Sequence, residues 1–123
     1  MRNRLKKFVK NILKKNELIG CDLNYLNSWF SFQFKHDMTF ENYGKIWHID
    51  HVIPCSHYDL TKKDEQKKCF HWSNLRPLYK KDNLKKSKKI ILHDILMQEL
   101  LAKHFKRTSP QFGNIACYDA DLP

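Results

Sequence analysis

Residues 48–54 of the chain read His-Ile-Asp-His-Val-Ile-Pro. The stretch places a carboxylate, Asp50, directly before an imidazole, His51, at the end of a short apolar run. In metal-assisted hydrolysis an acidic side chain holds a cation and a histidine activates water. The stretch therefore predicts a short strand that ends in a catalytic pair acting on phosphodiesters.

The segments after this stretch predict the rest of the site. Residues 45–50 alternate enough to form a strand, and residues 75–79 are predicted to be its return strand, with Pro77 favouring an edge position. A helix that carries Asn83 is predicted to follow. A strand, a return strand and a helix would bring Asn83 to Asp50, where the two side chains could share a hard cation such as Mg²⁺ or Mn²⁺.

The net charge of +10 comes from 23 Lys and Arg against 13 Asp and Glu, and the basic residues are clustered. Seven lie in the first fifteen positions, and six lie in residues 80–89, around Asn83. Neutralising phosphates releases counterions, so such clusters favour nucleic-acid binding, although a solvated basic surface is the alternative. The residues predicted to contact phosphates are Arg76, Lys80, Lys81, Lys85, Lys86, Lys88 and Lys89.

Helical periodicity flanks the site on both sides. Residues 2–15 have the pattern of a basic amphipathic helix, which could bind nucleic acid, a membrane surface or an acidic partner. Gly20 is a predicted stop, and Asp22 is a predicted cap for a second helix with an aromatic stripe. Thr39 is a predicted cap for a single helical turn, and Thr61 is one for a short helix over residues 62–70. Residues 90–105 predict a further amphipathic helix, and no clear period is present from residue 107. The predicted apolar contacts of that helix are Ile91, Ile95, Leu96, Leu100 and Leu101.

Cysteine spacing argues against a structural zinc site. Cys21, Cys55, Cys69 and Cys117 form no CxxC pair, and a zinc site made of His57, Cys69 and His71 would have irregular spacing. We expect reduced thiols, with Cys55 as a small packing residue. No secretory signal or membrane span is recognised, so we expect an intracellular protein of cytoplasm or nucleus, with a virus- or phage-infected host as one setting.

Three segments together resemble the HNH endonucleases, also called His-Me finger or ββα-metal nucleases. They are residues 48–54, residues 73–78 (Ser-Asn-Leu-Arg-Pro-Leu) and residues 82–87 (Asp-Asn-Leu-Lys-Lys-Ser), in the order that the family has. Asn83 follows Asn74 by nine positions, a spacing similar to that of the HNH domain of RNA-guided CRISPR nucleases. The resemblance covers residues 46–89, and residues 19–45 are similar to the lead-in of a phage- and large-DNA-virus-type subgroup.

The resemblance implies an α+β fold with a ββα-metal core and flanking N- and C-terminal helices. It divides the chain into a basic amphipathic helix (residues 1–18), a nuclease domain (residues 19–106, core 46–89) and a C-terminal tail (residues 107–123). The implied cofactor is Mg²⁺, Mn²⁺ or another divalent cation, with no structural zinc.

The resemblance also implies a role for each matching residue. Asp50 and Asn83 correspond to metal ligands, His51 to the general base, and Asn74 to the asparagine that braces the loop and orients the histidine. His48 stands where relatives often carry a further polar residue, so it is a possible metal or phosphate contact. Residue 83 is Asn where many members have His, which bears on metal preference.

The expected activity is that of a metal-dependent endonuclease, a phosphodiesterase that hydrolyses double-stranded or branched DNA. The resemblance implies that hydrolysis leaves 5′ phosphate and 3′ hydroxyl ends. The alternatives are a non-enzymatic nucleic-acid-binding module on the same scaffold, an RNA nuclease, and a structural or interaction protein. No membrane partner is expected. A monomer carries one site and would nick, whereas a homodimer could cut both strands.

Overall fold

Two short alternating segments of the chain pair to form a sheet, and helices surround it. The computed structural model describes residues 16–108, with side chains from Glu17 onward. Within this range the strands are β1 (Trp47–His51) and β2 (Leu75–Tyr79). The helices are α1 (Asn16–Ile19), α2 (Leu23–Gln33), α3 (Lys63–Phe70), α4 (Lys80–Lys86) and α5 (Leu92–Thr108), with single 3₁₀ turns at Phe40–Asn42, Cys55–His57 and Trp72–Asn74. The fold of the described residues is α+β, as predicted.

Parts of the sequence prediction fall outside this range. The basic amphipathic helix predicted for residues 2–15 lies outside the described residues, and so do Cys117 and the predicted tail beyond residue 108. Arg107 and Thr108, which were assigned to the tail, belong to the last turn of α5.

The two strands are antiparallel, and their register decides which side chains share a face. His51 lies opposite Leu75, and Asp50 lies opposite Arg76. Because successive side chains of a strand point to opposite faces, Asp50 and Arg76 share one face and His51 lies on the other. Helix α4 follows β2 without a loop, and its first N–H, that of Lys80, donates to the carbonyl oxygen of Ile46 at 2.9 Å. The turn from β2 into α4 is thereby fastened to the segment that leads into β1.

The core is built from aromatic side chains of α2, α5 and the turn before β2. Trp29 and Trp72 are fully buried, with ring centroids 5.1 Å apart in an edge-to-face contact. Tyr25 packs edge-to-face on Trp72 and on Phe105. Such pairs add roughly 0.5–1.5 kcal/mol each beyond area burial. The core therefore holds α2 and α5 against the start of β2, where the site begins.

Local capping signals in the sequence are confirmed in two places. The side chain of Asp22 accepts from the N–H of Tyr25 at 2.9 Å and starts α2. Thr39 and Asn42 form a reciprocal capping box around the predicted single turn. Gly20 ends α1 with a φ of +81°, a conformation that only glycine adopts without strain.

Two local predictions are wrong. Thr61 does not cap α3, because its hydroxyl donates to Asp59 and the helix begins two residues later without a side-chain cap. The buried face of α5 carries Gln98 and Ala102, whereas Leu96 and Leu100, predicted to be apolar contacts, are exposed.

Candidate functional site

Asp50 is the centre of a buried charge cluster that joins both strands and two helices. Its Oδ2 accepts from Arg76 Nε at 2.9 Å, and its Oδ1 accepts from Lys86 Nζ at 3.1 Å. The second arm of Arg76 reaches Asp94 on α5, with Nη2 to Oδ2 at 3.1 Å. Only 7% of Asp50 is exposed. A carboxylate so enclosed is stabilised by its paired cations, because an unpaired buried charge would be very costly.

Lys86 holds two oxygens of β1 at once. Its Nζ donates to Asp50 Oδ1 and, at 2.7 Å, to the carbonyl oxygen of His51, and only 5% of the residue is exposed. A carboxylate oxygen and a carbonyl oxygen therefore converge on one buried positive charge. The sequence did not predict this contact, since Lys86 is one of six basic residues within residues 80–89.

His51 ends β1 and is half-buried. Its ring meets the ring of Phe70 edge-on, with centroids 5.6 Å apart. Its Nε2 is enclosed and has no hydrogen-bond partner among the described residues. Burial lowers the pKa of His51, the negative charge of Asp50 opposes this shift, and the positive charge of Lys86 adds to it. The imidazole is therefore neutral near pH 7, which is the state that a general base needs.

Asn74 ties the loop after His51 to the end of α3. Its Nδ2 donates to the carbonyl oxygens of Ile53 and Cys69, both at 3.0 Å, and its Oδ1 accepts from the N–H of Ile53 at 2.8 Å. The main-chain oxygen of Asn74 accepts from Val52 at 2.8 Å. These contacts give Asn74 a bracing position, and the brace acts on the loop two residues after His51.

Asn83 lies on the helix that reaches Asp50 through Lys86, and His48 lies on the same strand as Asp50. Asn83 is half-buried on α4, three residues before Lys86, so the two residues share a helix face. No hydrogen bond joins the Asn83 side chain to Asp50 within residues 17–108, and its role as a co-ligand stays a prediction. His48 lies two residues before Asp50 on the same face of β1, with its Nε2 3.3 Å from the carbonyl oxygen of Gly44.

The predicted phosphate-binding residues fall into two groups. Arg76 and Lys86 are inside the protein, bonded to Asp50. The others are exposed on α4 and directly after it: Lys80, Lys81, Lys85, Lys88 and Lys89. Composition alone could not separate the groups, because helix geometry and the position of β1 decide which lysine turns inward.

A pair of cysteines beside His51 was missed by the sequence analysis. The structure joins Cys55 and Cys69 as a disulfide with a Cα–Cα separation of 5.7 Å, which contradicts the expectation of reduced thiols and of Cys55 as a packing residue. An imidazole nitrogen of His51 and the two sulfurs all lie within 4.8 Å of one another. This group is not the His57, Cys69 and His71 set, whose spacing is irregular. In the structure His57 contacts the carbonyl oxygen of Lys88, and His71 contacts Ser73. The 14-residue separation carries no recognisable metal or disulfide signal.

Comparison with known proteins finds relatives in a giant virus. Two uncharacterized proteins of Acanthamoeba polyphaga mimivirus are similar to this chain. One is 51% identical over 86 residues, which are 68% of this chain and 38% of the relative. The other is 42% identical over 110 residues, which are 87% of this chain and 48% of the relative. The chain thus spans about two fifths to one half of the length of the curated relatives it matches.

Other comparisons identify no family. No family model and no solved structure matches the chain. Among residues 16–108, no helix has both the length and the apolar character that crossing a bilayer requires.

Proposed function

We propose that this chain is an HNH-type endonuclease that hydrolyses DNA phosphodiester bonds with a divalent metal and a histidine general base. The observation that carries the proposal is the convergence of β1, β2 and α4 on Asp50. Two antiparallel strands followed directly by a helix have the order of a ββα-metal core. Asp50 and His51 are the last two residues of β1, and Asn74 hydrogen-bonds the loop that follows them, which supports the proposal.

The donor atoms around Asp50 fit a hard divalent cation. Asp50 Oδ1 and the His51 carbonyl oxygen already surround one positive charge, the Lys86 ammonium. Hard oxygen ligands of this kind suit Mg²⁺ and Mn²⁺. Asp50 and Asn83 would hold the cation, which would supply charge stabilisation for the phosphate and the leaving 3′ oxygen. Lys86 would release or share its carboxylate oxygen when the cation binds.

The remaining steps belong to the chain's own side chains. His51, kept neutral by its burial, takes a proton from the water that attacks phosphorus. Asn74 fixes the loop that follows His51 through Ile53, so the base keeps its place. The exposed lysines of α4 neutralise neighbouring phosphates and hold the strand without reading its sequence.

One observation favours a second candidate, a non-enzymatic DNA-binding module. Both carboxylate oxygens of Asp50 are already paired, one with Arg76 and one with Lys86. A carboxylate saturated in this way can serve as a structural ion pair and leave the basic surface to bind DNA. An RNA nuclease is the alternative within the enzyme class.

A metal-dependent cleavage assay tests the proposal. Supercoiled, linear and branched DNA are incubated with Mg²⁺ and wild type, His51→Ala or Asn83→Ala, with His104→Ala, exposed on α5, as the matched control. We expect cleavage by wild type and the control, and a loss of about 10²–10⁴-fold in His51→Ala. Equal rates in all variants would refute the residue assignment.

Two further measurements separate the alternatives. DNA affinity without cleavage in wild type would support the binding module. Parallel digestion of matched DNA and RNA distinguishes the two nucleases, since faster cleavage of RNA would overturn the DNA assignment.

A further inference from the structure

We infer that the reduced protein has a second metal site, made of His51, Cys55 and Cys69, that takes a soft or borderline divalent cation of the Zn²⁺ class. The three side chains lie close together in the fold. One ring nitrogen and two sulfurs lie within 4.8 Å of one another, although the three residues come from β1, the following 3₁₀ turn and the end of α3. Among the described residues, this is the one group of three or more His, Cys, Asp or Glu side chains close enough together to hold a metal ion.

The donor chemistry of the trio selects the kind of metal. Two thiolates and an imidazole suit Zn²⁺, whereas the oxygen donors at Asp50 suit Mg²⁺ or Mn²⁺. Three protein ligands leave a fourth tetrahedral position for water. The two neighbouring sites therefore differ in metal preference, and the ring of His51 belongs to the softer one.

The surroundings of His51 and Cys69 support such a site. The enclosed Nε2 of His51 lacks a hydrogen-bond partner among the described residues. A buried polar atom of this kind costs free energy unless something pairs with it. Cys69 is fully buried, and its carbonyl oxygen is fixed by Asn74. Cys69 is thus held in place without a metal, and His51 offers a buried nitrogen that no hydrogen bond from the described residues occupies.

The disulfide and the metal site exclude each other. A dithiol reductant transfers two electrons to the Cys55–Cys69 bond, which breaks to give two thiols while the reductant becomes a disulfide. Each thiol then gives up its proton as its sulfur binds the metal. A disulfide oxidant then takes two electrons from the two thiolates, which re-form the sulfur–sulfur bond and release the metal, while the oxidant becomes two thiols by taking up two protons from water. The site therefore exists only in the reduced protein.

The site has a consequence that rests on the proposed function. Metal on one nitrogen of His51 leaves the proton on the other, so the imidazole can no longer accept a proton from water. Zinc should then inhibit cleavage by the reduced wild type, and substitution of either cysteine should remove that inhibition.

Binding of Co²⁺, a spectroscopic substitute for Zn²⁺, tests the site without any cleavage assay. Reduced, full-length wild type is titrated with Co²⁺, and absorption from thiolate-to-cobalt charge transfer is followed. We expect saturation at one equivalent, displacement by Zn²⁺, and no such absorption from protein with its disulfide intact. The absorption should be lost in Cys55→Ser and Cys69→Ser and altered in His51→Ala.

Matched variants guard the interpretation. Cys21→Ser should keep the absorption because Cys21 lies outside the trio, and Asn83→Ala should keep it because Asn83 belongs to the oxygen site. Absence of charge transfer in reduced wild type, or its persistence in Cys55→Ser, would overturn the inference. Either result would leave the proposed nuclease untouched, since plasmid cleavage is measured separately.

Discussion

Lys86 determines the electrostatics of the site at the scale of a single residue. Its ammonium is buried between Asp50 and the His51 carbonyl oxygen, while its neighbour Lys85 is exposed on the same helix. Burying an ion pair costs desolvation that only close, well-bonded partners offset. Lys86 is therefore a structural part of the site, which its sequence context among other lysines concealed.

We predict that the pKa of His51 in the metal-free protein is lowered. Burial is the largest cause of its lowering, so NMR titration of the ring protons should give a value below the usual ~6.5. The neutral ring is then favoured by folding. The stabilisation that this pKa shift provides is fully present above about pH 6.5. It is lost as the pH falls from that value through the lowered pKa of the folded protein.

The NMR titration of His51 can be repeated in the Lys86→Met variant. Removing the neighbouring positive charge should raise the pKa of His51, because the lysine lowers it and the negative charge of Asp50 then acts with less opposition. Lys85→Met, one residue away and exposed, should leave the titration unchanged. A His51 pKa at or above the ordinary value in wild type would contradict the buried placement of the ring.

At the scale of elements, local signals predicted both strands, α2 and the Thr39 turn. Alternation and capping depend on neighbours in sequence, and β2 has the predicted bounds. The predicted buried face of α5 was wrong because tertiary contacts, and not the helical pattern, determine which residues of α5 are buried. Gln98 turns inward, and its Nε2 donates to the carbonyl oxygens of Ser73 at 2.9 Å and Leu75 at 3.1 Å. The helical periodicity of α5 does not predict these hydrogen-bond partners, because they lie more than twenty residues earlier in the chain.

The site shows the same division. The positions of Asp50 and His51 were predictable because both residues end a strand, and that of Asn74 because it directly precedes the return strand. Their catalytic and metal-binding roles stay predictions. Arg76 and Lys86 depend on the register of the strands and the rotation of α4, and the Cys55–Cys69 pair depends on how α3 returns to β1. Such contacts join distant segments, so spacing along the chain does not encode them.

Gln98→Ala tests the attachment of α5. The substitution leaves the Ser73 carbonyl without this donor, while Leu75 keeps its bond from Trp29 Nε1 at 2.8 Å. We expect the free energy of unfolding to fall by about 1–3 kcal/mol in urea denaturation. Glu99→Ala, exposed on the next position, should change it by under about 0.5 kcal/mol. Equal effects from the two would show that the inward amide contributes nothing.

At the scale of the whole molecule, charge is divided between surface and interior. The carboxylates of Asp50 and Asp94 are paired with Arg76, whereas five lysines around α4 face solvent. The interior is thus balanced, and the excess positive charge is left for an external polyanion.

The salt dependence of DNA affinity measures this surface. In fluorescence anisotropy titrations, log affinity should fall linearly with log salt concentration. Lys81→Ala or Lys85→Ala should each reduce the slope by about 1 unit if that lysine neutralises one phosphate. Lys103→Ala, exposed on α5, should not change it. An unchanged slope in both α4 variants would place the DNA elsewhere.

The outer edge of β2 limits what the sheet can become. The carbonyl oxygen of Leu75 accepts hydrogen bonds from the side chains of Trp29 and Gln98. The N–H of Leu75 donates to the carbonyl oxygen of Trp72. Pro77, two residues on and facing the same edge, has no N–H to offer. A strand from another molecule would find neither of these residues able to donate to it. The sheet is closed to growth along this stretch, which protects the protein against edge-to-edge aggregation.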